Sequence, residues 1–291
     1  MIETSTHPLD HLVLPTLSLE VARQRLSLLG FVVAPTGVHP FGTENACVFF
    51  ADGTYLEPLA IGDEKTAGQA IGEGNVFVAR DRLYRNRLGD EGFSAIVFGT
   101  ADADADHARY VEAGVSAGGM LSFSRAFTDA TGKSDMASFK LAFAADRKAT
   151  DAFLFACQRI NAPRIDRTAL QAHANGATGI AEIVAVSDRP SGQAGLLSTA
   201  AGQGANDGDE ILLPNATLTV LTPDAFASRF GFSPGRAPDL RFKAVVFAVR
   251  SIAAATRLLA AAAIDHNMSG KDVVVAPAPG QGATFIFREI P

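Results

Sequence analysis

The chain has 291 residues, 47% of them apolar and 19% charged, with a formal charge of −6 and two cysteines. That is enough apolar material for one or two packed cores, and it leaves little case for disorder. No run of Lys or Arg is present, which argues against nucleic acid, because neutralising phosphates takes clustered cations. No apolar stretch approaches the ~20 residues that span a bilayer. Residues 1–10, MIETSTHPLD, lack the basic start and apolar core of a secretory signal. Cys47 and Cys157 cannot build a disulfide framework, so a reducing compartment is the simplest reading. The expectation is a cytoplasmic protein with neither a nucleic-acid nor a membrane partner.

Along the chain the same order of elements recurs four times. The first unit opens with an apolar strand over 9–14. A helix follows, with Ser18 as N-cap, Leu19, Ala22, Leu26 and Leu29 at helical spacing, and Gly30 as the stop. A strand is expected over 31–34 and a turn-rich loop over 35–41. A hairpin over 46–50 and 54–60 then closes around Asp52-Gly53. The second unit repeats this with a strand over 93–98, a helix over 102–113, and strands over 120–127, 138–144 and 152–157. The third has a strand over 180–186, a helix over about 190–201 and strands over 210–213 and 216–221; its second strand is barely visible. The fourth has a strand over 242–249, an Ala-rich helix through Ile252, Ala255, Leu259 and Ala262, and strands over 272–276 and 283–287.

Two or three strands follow each helix, which is at odds with a doubly wound parallel sheet. The Gly202-Gln203-Gly204-Ala205 segment follows a helix rather than a strand, so it is no dinucleotide signal. The expected fold is α+β, with four βαβββ units forming two curved mixed sheets. It divides into an N-terminal pair at 1–160, a polar linker at 161–178 and a C-terminal pair at 179–291.

Two polar residues interrupt strands that otherwise ask for burial. By strand alternation His11 shares a face with Val13, and Glu57 shares one with Tyr55 and Leu59. An ionised Glu is costly to bury unless it is paired or bound to a metal, and an imidazole with a carboxylate suits Zn, Mn, Ni or Fe(II). A satisfied core histidine is the plain alternative for His11. A turn or capping role is as good a reading of His39, in its Pro/Gly-bounded loop, as a ligand role, and Asn45 can fix that loop by bonding to backbone. His173, beside Asn175-Gly176, reads as a turn residue, and Cys157 is inert in its apolar context.

Leu-Asp-His-Leu-Val-Leu at 9–14, His-Pro-Phe-Gly-Thr-Glu-Asn at 39–45 and Tyr-Leu-Glu-Pro-Leu-Ala at 55–60 resemble the glyoxalase-like branch of the vicinal-oxygen-chelate superfamily. That superfamily includes glyoxalases, bleomycin-resistance proteins and dioxygenases. Phe-Leu-Phe-Ala-Cys-Gln at 153–158 and His-Ala-Asn-Gly-Ala-Thr-Gly-Ile at 173–180 extend the resemblance to the second unit and the start of the third. It implies that His11 and Glu57 sit in one cavity. In metal-using relatives such positions chelate a divalent ion that binds neighbouring substrate oxygens, with Glu57 then serving the catalysis.

The chain departs from the full ligand set of that family. Ala95 stands on the second unit's first strand where a ligand is expected, which leaves Gln158 as a weak third oxygen ligand beside His11 and Glu57. The third unit carries Glu182 where the first has His11, with no carboxylate opposite. His39, Asn45, Tyr55 and Glu182 are the candidate substrate-pocket residues. The resemblance thus implies a metal-dependent enzyme acting on vicinal oxygens or, alternatively, a metal-free protein that sequesters a hydrophobic or aromatic compound. In either case the C-terminal half completes the fold or supplies a homodimer interface.

Overall fold

The computed structural model describes residues 6–128, 134–146, 152–162, 166–204 and 208–290. Strand β1 (Leu9–Pro15) leads into α1 (Leu19–Leu28), where Ser18 Oγ accepts a hydrogen bond from the Val21 N–H and satisfies one donor of the first turn. The helix stops at Gly30, in the left-handed region at φ +83°. A Cβ there would lie 2.8 Å from Leu258 Cδ1, so the stop is also a close approach between the two halves of the chain. Residues 31–34 do not form the expected strand. Phe31 instead buries its ring against Phe50, Phe247, Phe285 and Phe287, and packing takes the place of a strand ladder.

The unit continues with β2 (Gly37–Val38), β3 (Thr43–Asn45), β4 (Val48–Phe49) and β5 (Tyr55–Ile61). A helical pair absent from the sequence expectation follows, α2 (Glu64–Gly72) and α3 (Val76–Leu88). The second unit is β6 (Ala95–Thr100), α4 (Ala103–Glu112), β7 (Leu121–Thr128), β8 (Ser134–Ala144) and β9 (Phe153–Asn161). Next come β10 (Ala177–Val186), a 3-10 turn at Pro190–Gln193, α5 (Ala194–Ala200), β11 (Glu210–Leu212) and β12 (Thr217–Leu221). A further unexpected helix, α6 (Pro223–Phe230), then intervenes. The last unit is β13 (Arg241–Val249), α7 (Ile252–Ala261), β14 (Asn267–Ser269), β15 (Asp272–Val275) and β16 (Thr284–Glu289).

The strands make two curved mixed sheets. In the first the order is β2-β3-β5-β1-β6-β9-β8-β7, with β4 also on β5; in the second it is β11-β12-β10-β13-β16-β15-β14. Each sheet has an antiparallel seam where two units meet, β1 on β6 and β10 on β13. Within units, the first strand lies parallel to the last: β1 on β5, β6 on β9, β10 on β12 and β13 on β16.

Alternation sorts the residues. On the first sheet Leu12, Leu14, Leu56 and Ile96 join a core that also holds Leu26 of α1, Leu197 of α5, Leu259 of α7, and Ile183 and Val245 of the second sheet. The opposite, concave face carries Val13, Leu59, Val97 and Phe155 and is covered by Ala67 and Ala70 of α2 with Phe77 and Val78 of α3. The concave face of the second sheet, Val184, Val186, Val246 and Ile286, is plugged by Phe226 and Phe230 of α6, each worth about 1.5–3 kcal/mol of burial. Polar contacts tie the halves together. The Tyr110 hydroxyl donates to Ala200 O at 3.0 Å, and Asn215 bonds both Leu9 N, at 2.8 Å, and Leu9 O, at 2.9 Å. Among the described residues no helix is long and apolar enough to cross a membrane.

Candidate functional site

The parallel pairing of β1 with β5 sets Val13 opposite Glu57 and His11 opposite Tyr55, so alternate side chains of both strands point into the first concave face. A register shift between Leu9 and His11 in the β1–β6 pairing marks a bulge that leaves Asp10 as the extra residue. That irregularity lets two successive side chains meet: His11 Nδ1 donates to Asp10 Oδ1 at 2.7 Å. Arg159 of β9 grips the same carboxylate with both terminal nitrogens, at 2.8 Å to Oδ1 and in a short contact to Oδ2. The imidazole is thereby aimed, with Nε2 3.3 Å from Glu57 Oε2. Tyr55 stacks on its face, ring centroids 4.3 Å apart at 13°, and Phe155 meets it edge-on.

The other Glu57 oxygen accepts from Asn45 Nδ2 at 2.6 Å and lies 3.7 Å from His39 Nε2. His39 is held by a 2.9 Å hydrogen bond between its Nδ1 and Thr43 Oγ1 and by stacking on Phe41. Asp10, His11, His39, Asn45 and Glu57 are buried, His11 at 4% exposure and Glu57 at 5%. They enclose a cavity of about 40 Å³ that is otherwise walled by Phe77, Phe123, Phe139, Leu141 and Cys157, with Arg125 of β7 at one side. A larger hollow of about 300 Å³ lies beyond Phe41, between α2 and the start of β7.

Burial by itself would raise the Glu57 carboxyl, but the hydrogen bond and charge of His11, with His39 and Asn45, hold it down at about 2. Asp10 is held at about 2 in the same way, burial being outweighed by His11 and Arg159. For His11 burial is outweighed by the two carboxylates, and its pKa is raised. His39 lacks so close a partner, and burial takes it down to about 4. Burial pushes the Cys47 and Cys157 thiols up, which makes both inert.

The structure brings together His11, Glu57, His39, Asn45 and Tyr55. Gln158 does not join them. On β9 it is Cys157 that faces the cavity, while Gln158 points to the other side, accepts from the Ala103 N–H at 3.1 Å and donates to Ala101 O at 2.6 Å; it secures the start of α4. Glu182 is likewise not part of this cavity. It lies on the second sheet, where Thr219 and both terminal nitrogens of Arg229 donate to it and Arg288 adds a further bond. His173 has a structural task, accepting from the Val32 N–H at 3.0 Å and bonding Phe49 O at 2.9 Å. Asp10, Arg125 and Arg159 were not singled out in the sequence. An Asp directly before the strand histidine and an Arg within a sheet-forming segment were the available signals.

Residues 9–200 match the family described as Glyoxalase-like domain, and the chain belongs to that family, within the vicinal-oxygen-chelate superfamily. No curated protein matches it. Among solved structures, a hypothetical protein from Staphylococcus aureus is 14% identical with a TM-score of 0.63, covering 97% of this chain and 99% of the other. A mutant of 4-hydroxymandelate synthase from Streptomyces coelicolor is 14% identical with a TM-score of 0.59, covering 97% and 92%. A Mn(II)-bound glyoxalase from Novosphingobium aromaticivorans is 9% identical with a TM-score of 0.50, covering 97% and 82%. At these identities the likeness is one of fold.

A divalent ion needs donors that converge on one point, and the donors of this cavity do not. His11 Nε2 and Glu57 Oε2 face each other, but His39 faces the opposite carboxylate oxygen, which Asn45 already occupies. Among the described residues no group of three or more His, Cys, Asp or Glu side chains is placed to hold a metal ion. As arranged, the set does not fit one.

Proposed function

We propose that the chain is a small-molecule-binding member of the glyoxalase-like family, enclosing a compact aromatic or apolar compound in its N-terminal cavity without a resident metal ion. The observation that carries this reading is an enclosed cavity with aromatic walls whose polar groups bond one another, His11 to Asp10 and Glu57 to Asn45, instead of converging on one point; their protonation agrees with it. A general acid or base works best with a pKa near the operating pH. Glu57 at about 2 and His39 at about 4 are both far below neutrality, and His11 is displaced upward between two carboxylates. Such a set holds fixed charges and hydrogen bonds instead of passing protons. The aromatic walls supply the apolar contact that ligand sites favour. A ligand larger than the about 40 Å³ cavity needs the Phe41 ring, which also lines the outer hollow, to swing aside.

A second reading, a metal-dependent enzyme acting on vicinal oxygens, draws support from Asp10. A carboxylate on the far nitrogen of a histidine is the usual support behind a metal ligand. Metal analysis of protein purified without chelators or metal-affinity resin, with thermal melting in added Zn, Mn, Ni or Fe(II), separates the two. The proposal expects no stoichiometric metal and no stabilisation by any ion. An ion that raises the melting temperature of the wild type but not of Glu57→Gln overturns it, since Gln keeps the shape and removes the charge that a cation needs.

A further inference from the structure

We propose that the ligand of this cavity is a carboxylate, its oxyanion held by the guanidinium group of Arg125, with the charge of Arg167 behind the Tyr55 wall, and its body by the aromatic walls. The proposal rests on the binding reading above and adds the chemical class of what is bound. Arg125 lines the same cavity as His11 and Glu57, with its guanidinium carbon 6.0 Å from the Phe139 ring centroid. Gly37 makes room for it. A Cβ at that position would lie 2.5 Å from both Arg125 Nη1 and Asn45 Oδ1, which puts the guanidinium beside the amide that fixes Glu57. Arg167, just before the 3-10 turn at Thr168–Gln171, lies 4.3 Å over the Phe49 ring. Phe49 is 5.3 Å from Tyr55, which stacks on His11. Arg125 therefore stands in the cavity wall, whereas Arg167 lies behind that wall, at the outer end of the aromatic stack.

The charges around the cavity do not balance. Among the described residues Asp10 and Glu57 are taken by His11, His39, Arg159 and Asn45, and neither pairs with Arg125 or Arg167. Among the described residues no carboxylate forms an ion pair with Arg125 or Arg167. Half-buried like charges repel each other more than exposed ones do. In agreement, Arg167 is lowered first by burial and then by the nearby charges of Arg159 and Arg125. A further cation would worsen this excess, and an anion relieves it. The guanidinium fork of Arg125 meets the planar, two-oxygen shape of a carboxylate with paired N–H donors.

Titration calorimetry with benzoate, its neutral isostere benzamide and inorganic phosphate tests this on wild type, Arg125→Gln and Arg167→Gln. Melting curves serve to show that the variants fold. The expected result is benzoate binding at least about tenfold tighter than benzamide, weakened by salt, and weakened roughly tenfold by Arg125→Gln and less by Arg167→Gln, while benzamide is unaffected. Benzamide binding as tightly as benzoate overturns the anion assignment and leaves the aromatic cavity standing. Phosphate binding with the same arginine dependence and the same affinity as benzoate overturns the carboxylate class. Neither aromatic compound binding the wild type overturns the inference, and an accompanying stabilisation by a divalent ion would show that the underlying binding reading had failed with it.

Discussion

On β1 the position that faces the first concave surface is His11; on β10, the first strand of the second sheet, it is Glu182. Around His11 the neighbours are aromatic, a cavity remains, and Arg125 in its wall has no carboxylate partner among the described residues. Around Glu182 each oxygen is satisfied by Thr219, Arg229 and Arg288, and Asp272 engages the remaining side of Arg288. The helices laid over the two faces act accordingly. The pair α2–α3 covers the first and leaves a hollow, whereas α6 brings both phenylalanines and Arg229 into the second and fills it. Two sheets of similar strand order thus diverge through which charges are left uncompensated. A saturated ion network fastens a face shut, and an unbalanced one leaves it a ligand to recruit.

That contrast can be broken most sharply at His39. Its folded pKa of about 4 lies below the ordinary 6.5, so the unfolded chain takes up a proton first as pH falls. His39 therefore contributes stability that is fully present above pH 6.5 and lost between 6.5 and 4, by about 3 kcal/mol from the 1.36 kcal/mol carried by each pKa unit. Denaturant unfolding across that window should show the loss in the wild type. In His39→Gln the slope should flatten to what the also-lowered His173 and, near pH 4, the depressed Glu57 and Asp10 contribute. Equal slopes would mean that His39 is hydrated. The ion network offers the next largest effect. Glu182→Gln should cost about 2 kcal/mol, short of the figure for a fully buried pair because solvent reaches the partners, Arg229 at 33% and Arg288 at 28% side-chain exposure. Benzoate or benzamide binding at the other face should be unchanged; a loss there would show that the two faces are coupled. The smallest change is expected for Gln158→Ala, which removes one acceptor from the start of α4 and should cost about 1 kcal/mol in melting experiments. An altered ligand affinity in that variant would place Gln158 back in the cavity.

The meeting of His11 with Glu57 was legible in the sequence, because the first and last strands of a unit are neighbours and period-two alternation decides which residues face inward. The same alternation explains the error at Gln158. One position separates it from Cys157, and one position reverses the face. The strand expected over 31–34 failed for a different reason: an apolar run is equally consistent with a segment whose single large ring is taken by a distant core. Helix α3 escaped notice because Arg80, Arg82, Arg85 and Arg87 break up its apolar pattern, and one of its inward positions is Asp81, paired with Arg85 at 2.7 Å. Nothing local forecasts the bulge at Asp10, since it is a property of the pairing of β1 with β6, nor the arrival of Arg125 beside Glu57, which comes from a strand far away in the chain.

The position of Phe31 bears on how the molecule can be taken apart. Residues 161–178 lie between the sheets in sequence, yet the ring of Phe31 rests on Phe247, Phe285 and Phe287, and a single apolar core runs from Leu12 to Val245. Cutting the chain in that stretch would not release two self-sufficient pieces. Each fragment would present a raw phenylalanine-studded surface to water and would be rescued only by its complement, so the half that carries the cavity depends for its solubility on the half that carries none.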